Sequence, residues 1–284
     1  MIAIIFGAKG QDGTYLTALL NEKGYRVVGI DRNKIKINNF SDVCDLIKKE
    51  QPNYIFHLAA NSTTKIDACL ENHETISTGS LNILEAVRLY SSDTKIFLSG
   101  SGLQFENTGK AIKETDPFFE SSAYAVSRIH SVYAARYYRS LGLKVYVGYF
   151  FTHDSPYRTE RHINKKTIAT VKRIIAGSEE KLIIGDLSVK KEFGFAGDIV
   201  KGILTLVEQD NIYETVIGTG VAHSIEEWVN ICFGMYDLDW KKYVETLPDF
   251  SSEYKILVSN PATIFSLGWK PETDIHSLAK MMSK

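Results

Sequence analysis

Five apolar residues, Ile2–Phe6, run directly into Gly7-Ala8-Lys9-Gly10-Gln11-Asp12-Gly13, and a segment with Leu16, Leu19 and Leu20 at helical spacing follows at once. A strand that breaks into a glycine loop and reopens as a helix leaves few folds available. Glycines at 7, 10 and 13 permit a tight turn and bring backbone N–H groups against a ligand at the helix N-terminus, where the dipole also favours anions. Glycine turns are common, so the loop gains its meaning from the βαβ unit around it. A pyrophosphate is the anion such a loop fits.

The rest of the first 150 residues repeats the unit. Apolar runs at Arg26–Ile30, Tyr54–Ala59, Lys95–Ser99 and Lys144–Phe150 alternate with helical faces marked by Val43, Leu46 and Ile47 and by Leu81, Leu84 and Val87. That alternation predicts an α/β fold, a doubly wound parallel sheet, with those faces in the core. After Phe151 the rhythm changes to a polar stretch, His153 to Lys166, then helical patterns at Ile168–Ile175 and Ile199–Val207 and a last strand near Thr215–Ile217. Ser224 with Glu227 reads as a capping box, and Leu267-Gly268-Trp269-Lys270-Pro271 as a helix end and turn. The second region is expected to pack as a cap interleaved with the first.

Composition narrows the partners. With 33 basic and 34 acidic residues in 284, and no basic stripe, the chain does not have the profile of a nucleic-acid binder. No apolar run approaches the ~18 residues of a membrane helix, and no basic segment with a cleavage site precedes the first strand. Cys44, Cys69 and Cys232 have neither disulfide nor zinc spacing, which points to a reducing cytoplasm.

Two further features carry chemistry. Asp31 follows the second strand, 18 residues after Gly13, where a carboxylate accepts hydrogen bonds from an adenosine ribose. That favours NAD, although Lys9 and Arg32 are cations that suit a 2′-phosphate and leave NADP open. In Ser122-Ala123-Tyr124-Ala125-Val126-Ser127-Arg128, Tyr124 and Arg128 are four apart and share a helix face. A cation beside a tyrosine stabilises its phenolate, which can then exchange a hydroxyl proton as hydride moves at carbon.

On these stretches the chain resembles the extended short-chain dehydrogenases/reductases that modify nucleotide sugars, nearest to the branch containing GDP-mannose 4,6-dehydratases and GDP-4-keto-6-deoxymannose reductases. The resemblance covers nearly the whole chain. It rests on Gly10-Gln11-Asp12-Gly13, His57-Leu58-Ala59-Ala60-Asn61-Ser62, Ser122 to Ser127, His153-Asp154-Ser155-Pro156, Lys191-Glu192-Phe193-Gly194, Thr219-Gly220 and Leu267 to Pro271. It implies a Rossmann domain at 1–150 plus about 189–217, and a smaller sugar-nucleotide-binding cap at about 151–188 plus 218–284. It also implies cofactor contacts from Gly7, Gly10, Gln11, Asp12, Gly13, Asp31, Arg32, Asn39, Leu58, Ala59, Ala60, Tyr124 and Arg128. Substrate contacts are implied for Asn61, Ser62, Thr152, Asn164, Lys165, Lys166 and Lys191.

The departures are as informative. The family's Tyr-x-x-x-Lys is Tyr-x-x-x-Arg here, with Arg128 bulkier and fork-shaped. The dehydratases' Ser-Thr-Ser-Glu-Leu-Tyr is matched by Ser99-Gly100-Ser101-Gly102-Leu103-Gln104, which lacks the threonine at the sugar 4-hydroxyl and the glutamate that moves protons at C5 and C6. Ser99 or Ser101 is left to orient the hydroxyl, and Glu106 or Glu120, both expected on an exposed loop, to replace the base. Phe250 stands where the family has a phosphate-binding arginine. Only Asn33 and Lys34 separate Arg32 from an expected strand Ile35–Ile37, and the arginine-rich tetramer loop is missing, so a homodimer through helices 79–90 and 121–140 is expected.

The leading expectation is an NAD(P)-dependent oxidoreductase acting at C4 of a nucleotide-activated, GDP-linked sugar. A dehydratase with another base, and a sugar-nucleotide-binding protein that has lost catalysis, are the alternatives.

Overall fold

The structure is a computed structural model that describes residues 1–33 and 35–284. Its first half runs β1 (Ile2–Phe6), α1 (Gln11–Glu22), β2 (Arg26–Ile30), α2 (Phe40–Glu50), β3 (Tyr54–His57), α3 (Cys69–Asn72), a π-helical stretch His73–Thr78, α4 (Gly79–Tyr90), β4 (Lys95–Ser101), α5 (Ala123–Ser140) and β5 (Lys144–Phe150). Then come β6 (His153–Asp154), α6 (Ile163–Ile175), β7 (Leu182–Ile184), β8 (Lys190–Lys191), β9 (Gly194–Phe195), α7 (Ala196–Val207) and β10 (Glu214–Ile217). The chain ends with β11 (His223–Ser224), α8 (Ile225–Gly234), β12 (Val244–Thr246), β13 (Ile256–Leu257), α9 (Ala262–Ser266) and α10 (Ile275–Met282).

Six strands form one parallel sheet in the order β2-β1-β3-β4-β5-β10. Strand order reverses between β1 and β3, so the crevice at their carboxyl ends is where such a sheet binds ligands. Because the strands are buried on both faces, they read as unbroken apolar runs. One face packs on α2, α4 and α5 through Ile4, Ile55, Leu84 and Val132. The other packs on α1, α7 and α9 through Ile5, Leu16, Phe97, Ile203 and Ile264. Each such side chain contributes roughly 1.5–3 kcal/mol by leaving water. A third core, centred on Trp228 and Phe193, joins α6, α8 and α10 beyond the sheet.

Four expectations are corrected. The third strand stops at His57 because the chain leaves the sheet at Leu58 to pass under the glycine loop. Ile35–Ile37 is not a strand: Ile35 and Ile37 turn into the core beside α2 and α4, and the Ile37 carbonyl accepts from Asn82 Nδ2 at 2.9 Å, while Lys34 lies outside the described residues. Leu81 is 41% exposed because steps of three drift off the face that buries Ile83, Leu84 and Val87. In the Ser224 capping box only the forward bond forms, Glu227 N to Ser224 Oγ at 3.0 Å, since the Glu227 carboxylate pairs with His223 at 2.8 Å.

The catalytic-type helix α5 is fastened at its far end. Arg136 and Arg139 both bind the Glu214 carboxylate on β10, and the Tyr149 hydroxyl donates to the same group at 2.6 Å. Burial works against that charge, but the bonds from Arg136, Tyr149 and Arg139 hold the Glu214 carboxyl down at about 2.

Candidate active site

Gly7 leaves β1 at φ +88°, a conformation that costs an L side chain dearly, and a Cβ there would lie 2.7 Å from Ala59 N. At Gly13 a Cβ would lie 2.2 Å from the Gly7 carbonyl. The loop therefore folds only as glycine, with the backbone of Leu58 and Ala59 against it. Gly10 supplies no side chain to cap the opening amides of α1, which leaves an N-terminal anion cradle at the crevice. Those features fit the diphosphate of a dinucleotide.

At the end of β2, Lys9 binds Asp31, whose other oxygen accepts from Asn33 N at 3.0 Å. Lys9 is thereby matched by a carboxylate, and Arg32 faces Glu71 at 3.8 Å. Asn39, expected at the adenine, caps α2 with its Oδ1, which accepts from Asp42 N at 3.3 Å. Asn61 binds Glu71 at 2.8 Å, and its amide N–H donates to Asn72 Oδ1 at 3.2 Å, while Ser62 is exposed beside it on the loop after β3.

Ser122 caps α5 through the Ala125 amide, and one turn later Tyr124 and Arg128 are both buried beside the end of β4. Arg128 Nε donates to the Tyr124 hydroxyl at 3.2 Å, and its Nη1 donates to the Ser99 carbonyl and, at 2.8 Å, to Ser99 Oγ. The guanidinium fork thus spans the phenol and the strand end, as a lysine could not. Ser99 Oγ donates to the His57 carbonyl at 3.0 Å while accepting from Arg128, which ties the end of β4 to α5. Ser101 Oγ accepts from Leu103 N at 3.2 Å and, among the described residues, donates to no other group. His57 is neutral: burial, reinforced by Arg128, pushes it down to about 3, and Nε2 faces the Thr75 carbonyl at 3.1 Å.

Gly100 in β4 and Gly102 just after it are filled positions. A Cβ on Gly100 would meet the Tyr149 ring at 2.5 Å, and one on Gly102 the Phe151 ring at 2.8 Å. Gly100 pairs with Tyr149 across β4 and β5, so large aromatics occupy the space that threonine and glutamate would need. Glu106 and Glu120 lie exposed on the loop before α5, as expected.

Across the crevice, Asp154 is buried against Arg158 Nε at 2.8 Å and receives Asn164 Nδ2. Lys191 adjoins this group, and burial, opposed by Asp154 and reinforced by Arg158, brings it down to about 8. His162 is pushed to about 4 by burial, with Arg158 reinforcing. Arg158 and His162 were not singled out from sequence, where only a polar stretch was visible. Lys165 Nζ reaches the Met282 carbonyl at 3.5 Å and Lys166 Nζ the Ile183 carbonyl at 3.1 Å, so these two lysines rest against α10 and β7. Thr152 stands at the cleft, with its carbonyl on Gly194 N at 3.1 Å and its side chain against the Tyr254 hydroxyl. The Phe250 ring packs on Gly185.

The family model for GDP-mannose 4,6 dehydratase matches residues 33–282. GDP-mannose 4,6 dehydratase 2 of Arabidopsis thaliana is 31% identical over 318 aligned positions, covering 99% of this chain and 85% of the relative. Among solved structures, UDP-glucose 4-epimerase of Thermus thermophilus in complex with NAD superposes with a TM-score of 0.85 at 19% identity, covering 100% of this chain and 98% of that one. RMD from Pseudomonas aeruginosa complexed with NADPH gives 0.87 at 19%, covering 99% and 96%. The expected Rossmann-type fold is borne out by these neighbours and by the parallel sheet. From the glycine loop to the Tyr124 helix, the chain belongs to the GDP-mannose 4,6 dehydratase family of NAD(P)-dependent nucleotide-sugar enzymes.

Proposed function

We propose that this protein oxidises or reduces C4 of a GDP-linked hexose without completing the C5/C6 elimination of the dehydratases. One observation carries the reading: the Gly102 position holds no base, and the Phe151 ring fills the space in which a glutamate side chain would begin. Elimination needs a positioned proton acceptor at C5, and the exposed Glu106 and Glu120 are not held in place for it.

The backbone of Gly7, Gly10 and Gly13, with Leu58, Ala59 and Asp31, would hold the dinucleotide, with NAD favoured by the Asp31 carboxylate. Bound nicotinamide would exchange a hydride with C4. Tyr124 Oη would take the 4-hydroxyl proton during oxidation and return it during reduction. Arg128 Nε, already donating to that oxygen at 3.2 Å, stabilises it when it is anionic. Ser101 Oγ orients the hydroxyl. Asn164, Lys191, Arg158 and Thr152 form the side of the crevice where the sugar nucleotide's diphosphate would lie, with Asn61 and Ser62 opposite.

The third core supports a division into a dinucleotide half, 1–150 plus about 189–217, and a sugar-nucleotide half, with α9 and Trp269 lying against the sheet layer. We also propose a homodimer on α4 and α5, whose outer faces expose Leu81, Val126, Tyr133 and Tyr137. The cytoplasm suits a chain with three free thiols.

The test is incubation of purified protein with GDP-mannose and NAD, with mass spectrometry of the sugar nucleotide. A product lighter by two hydrogens, lost in the Tyr124→Phe variant, is expected. A product lighter by one water would establish the dehydratase instead, turnover that survives in Tyr124→Phe would overturn the role given to Tyr124, and absent turnover both here and with a GDP-4-keto sugar and NADH would favour a binding protein.

A further inference from the structure

The strand β6 and the residue after it lie between the two halves of the crevice, and their side chains alternate between them. His153 and Ser155 face α1: His153 Nε2 lies 2.9 Å from Asp12 Oδ1, the His153 carbonyl accepts from Gln11 Nε2 at 3.2 Å, and Ser155 Oγ donates to Gln11 Oε1 at 3.1 Å. Asp154 faces the other way, onto Arg158 and Asn164. This is the period of two of an extended chain, used to hold a cofactor-side helix with one set of side chains and a substrate-side cluster with the other.

We infer that the Asp12–His153 ion pair is a positioning device that couples the dinucleotide site to the nucleotide-diphosphate site, so that occupancy of one raises affinity for the other. The inference rests on the reading given under Proposed function, in which α1 holds the dinucleotide and Arg158 with Lys191 the sugar nucleotide. A ligand that fixes residues 153–155 on one side removes part of the ordering cost for the ligand on the other side, and the effect is reciprocal.

The pair is built for a doubly protonated ring. His153 Nδ1 sits 2.7 Å from the Phe151 carbonyl while Nε2 faces the carboxylate, so both nitrogens need a hydrogen. A neutral ring would leave one nitrogen lone pair against an acceptor. Burial opposes the charge, yet Asp12 raises the His153 pKa above the ordinary histidine value, against a smaller opposing push from Arg158. Asp12, for which burial favours the neutral acid, is held below the usual carboxylate range by His153, with Arg158 and Arg128 adding to it. Those are the charged groups that face the pair from α1, the loop after β6 and α5.

The experiment measures NAD affinity by calorimetry with and without saturating GDP, in the wild type across neutral to alkaline pH and in His153→Gln and Asp12→Asn. At neutral pH, GDP is expected to tighten NAD by about 5–10-fold, the low end of ordinary coupling. The factor should fall toward one as pH rises through the raised His153 pKa, because the protonated ring is present only below it. Lys191 also loses charge in alkali, which weakens GDP but leaves the ratio at saturation intact. His153→Gln should bind both ligands with no coupling. Binding of both by the wild type without coupling, or coupling retained in His153→Gln, overturns the inference and leaves the assigned sites standing. Binding of neither overturns both. If the variants fail to fold, the wild-type pH series decides alone.

Discussion

Gly102→Ala isolates the claim that Phe151 occupies the place of a catalytic side chain. The added methyl would lie 2.8 Å from Phe151 Cε1 and 2.9 Å from Cζ, nearer than side chains tolerate, and a tight 3.1 Å from Cδ1. Phe151 is 3% exposed and is held in the core beside Tyr149, so it has little room to yield. Overpacking of this kind costs about 1–3 kcal/mol. At about 2–4 °C per kcal/mol for a chain of this size, a cost near 2 kcal/mol lowers Tm by about 4–8 °C. Phe151→Leu should also destabilise alone, by lost packing, but the double variant Gly102→Ala/Phe151→Leu should recover at least about 1 kcal/mol relative to the sum, since the two residues touch. The assay is a set of four melts by circular dichroism, together with product mass from each variant. An unchanged Tm in Gly102→Ala, or strictly additive losses, would refute the argument that the ring blocks that space.

Three other outcomes follow from the site and its supports. GDP affinity should weaken as pH rises through about 8, where Lys191 loses its charge, and Lys191→Met should remove that step from the calorimetric pH profile. Glu214, held at about 2, contributes stability that is complete above the ordinary carboxylate range and lost as pH falls toward 2; this is of order 3 kcal/mol, and acid melts of Glu214→Gln should lack it. Gly13→Ala, with its methyl 2.2 Å from the Gly7 carbonyl, should abolish NAD binding in calorimetry and lower Tm by several degrees, whereas Gly24→Ala, in open space at φ +78°, should leave NAD binding intact.

The sheet and the glycine cradle were legible in sequence because both follow from local rules, the apolar run of a buried parallel strand and the conformations only glycine adopts. Tyr124 and Arg128 were legible from spacing on one helix. Which groups Arg128 binds was not, because Ser99 is brought beside it by the sheet and not by the helix. Lys165 and Lys166 illustrate the same limit, since a cation at a matching position turns away when α6 offers it carbonyls of α10 and β7. Arg158 and His162 were hidden in a polar stretch without period, and only the fold gathers them at Asp154. The Ile35–Ile37 run failed as a strand because apolar character alone does not distinguish pairing with an edge from packing on helices. The Gly100 and Gly102 substitutions were visible, but the aromatics that fill them, Tyr149 on β5 and Phe151 just after it, come from the neighbouring strand and its exit.

The Glu214 anchorage has a mechanical meaning for the Tyr124 end of α5. Arg136 is twelve residues beyond Tyr124, about 18 Å along a helix that rises about 1.5 Å per residue, so the helix is a strut with one end bolted to the last strand of the sheet. A slip by a single residue would carry the phenol about 1.5 Å along the axis, and with it Arg128, away from Ser99 at the end of β4. The same carboxylate fixes Tyr149, whose ring fills the space beside Gly100. One acidic side chain at the sheet's edge thus holds both the helix that carries the phenol and the ring that fills the space beside Gly100.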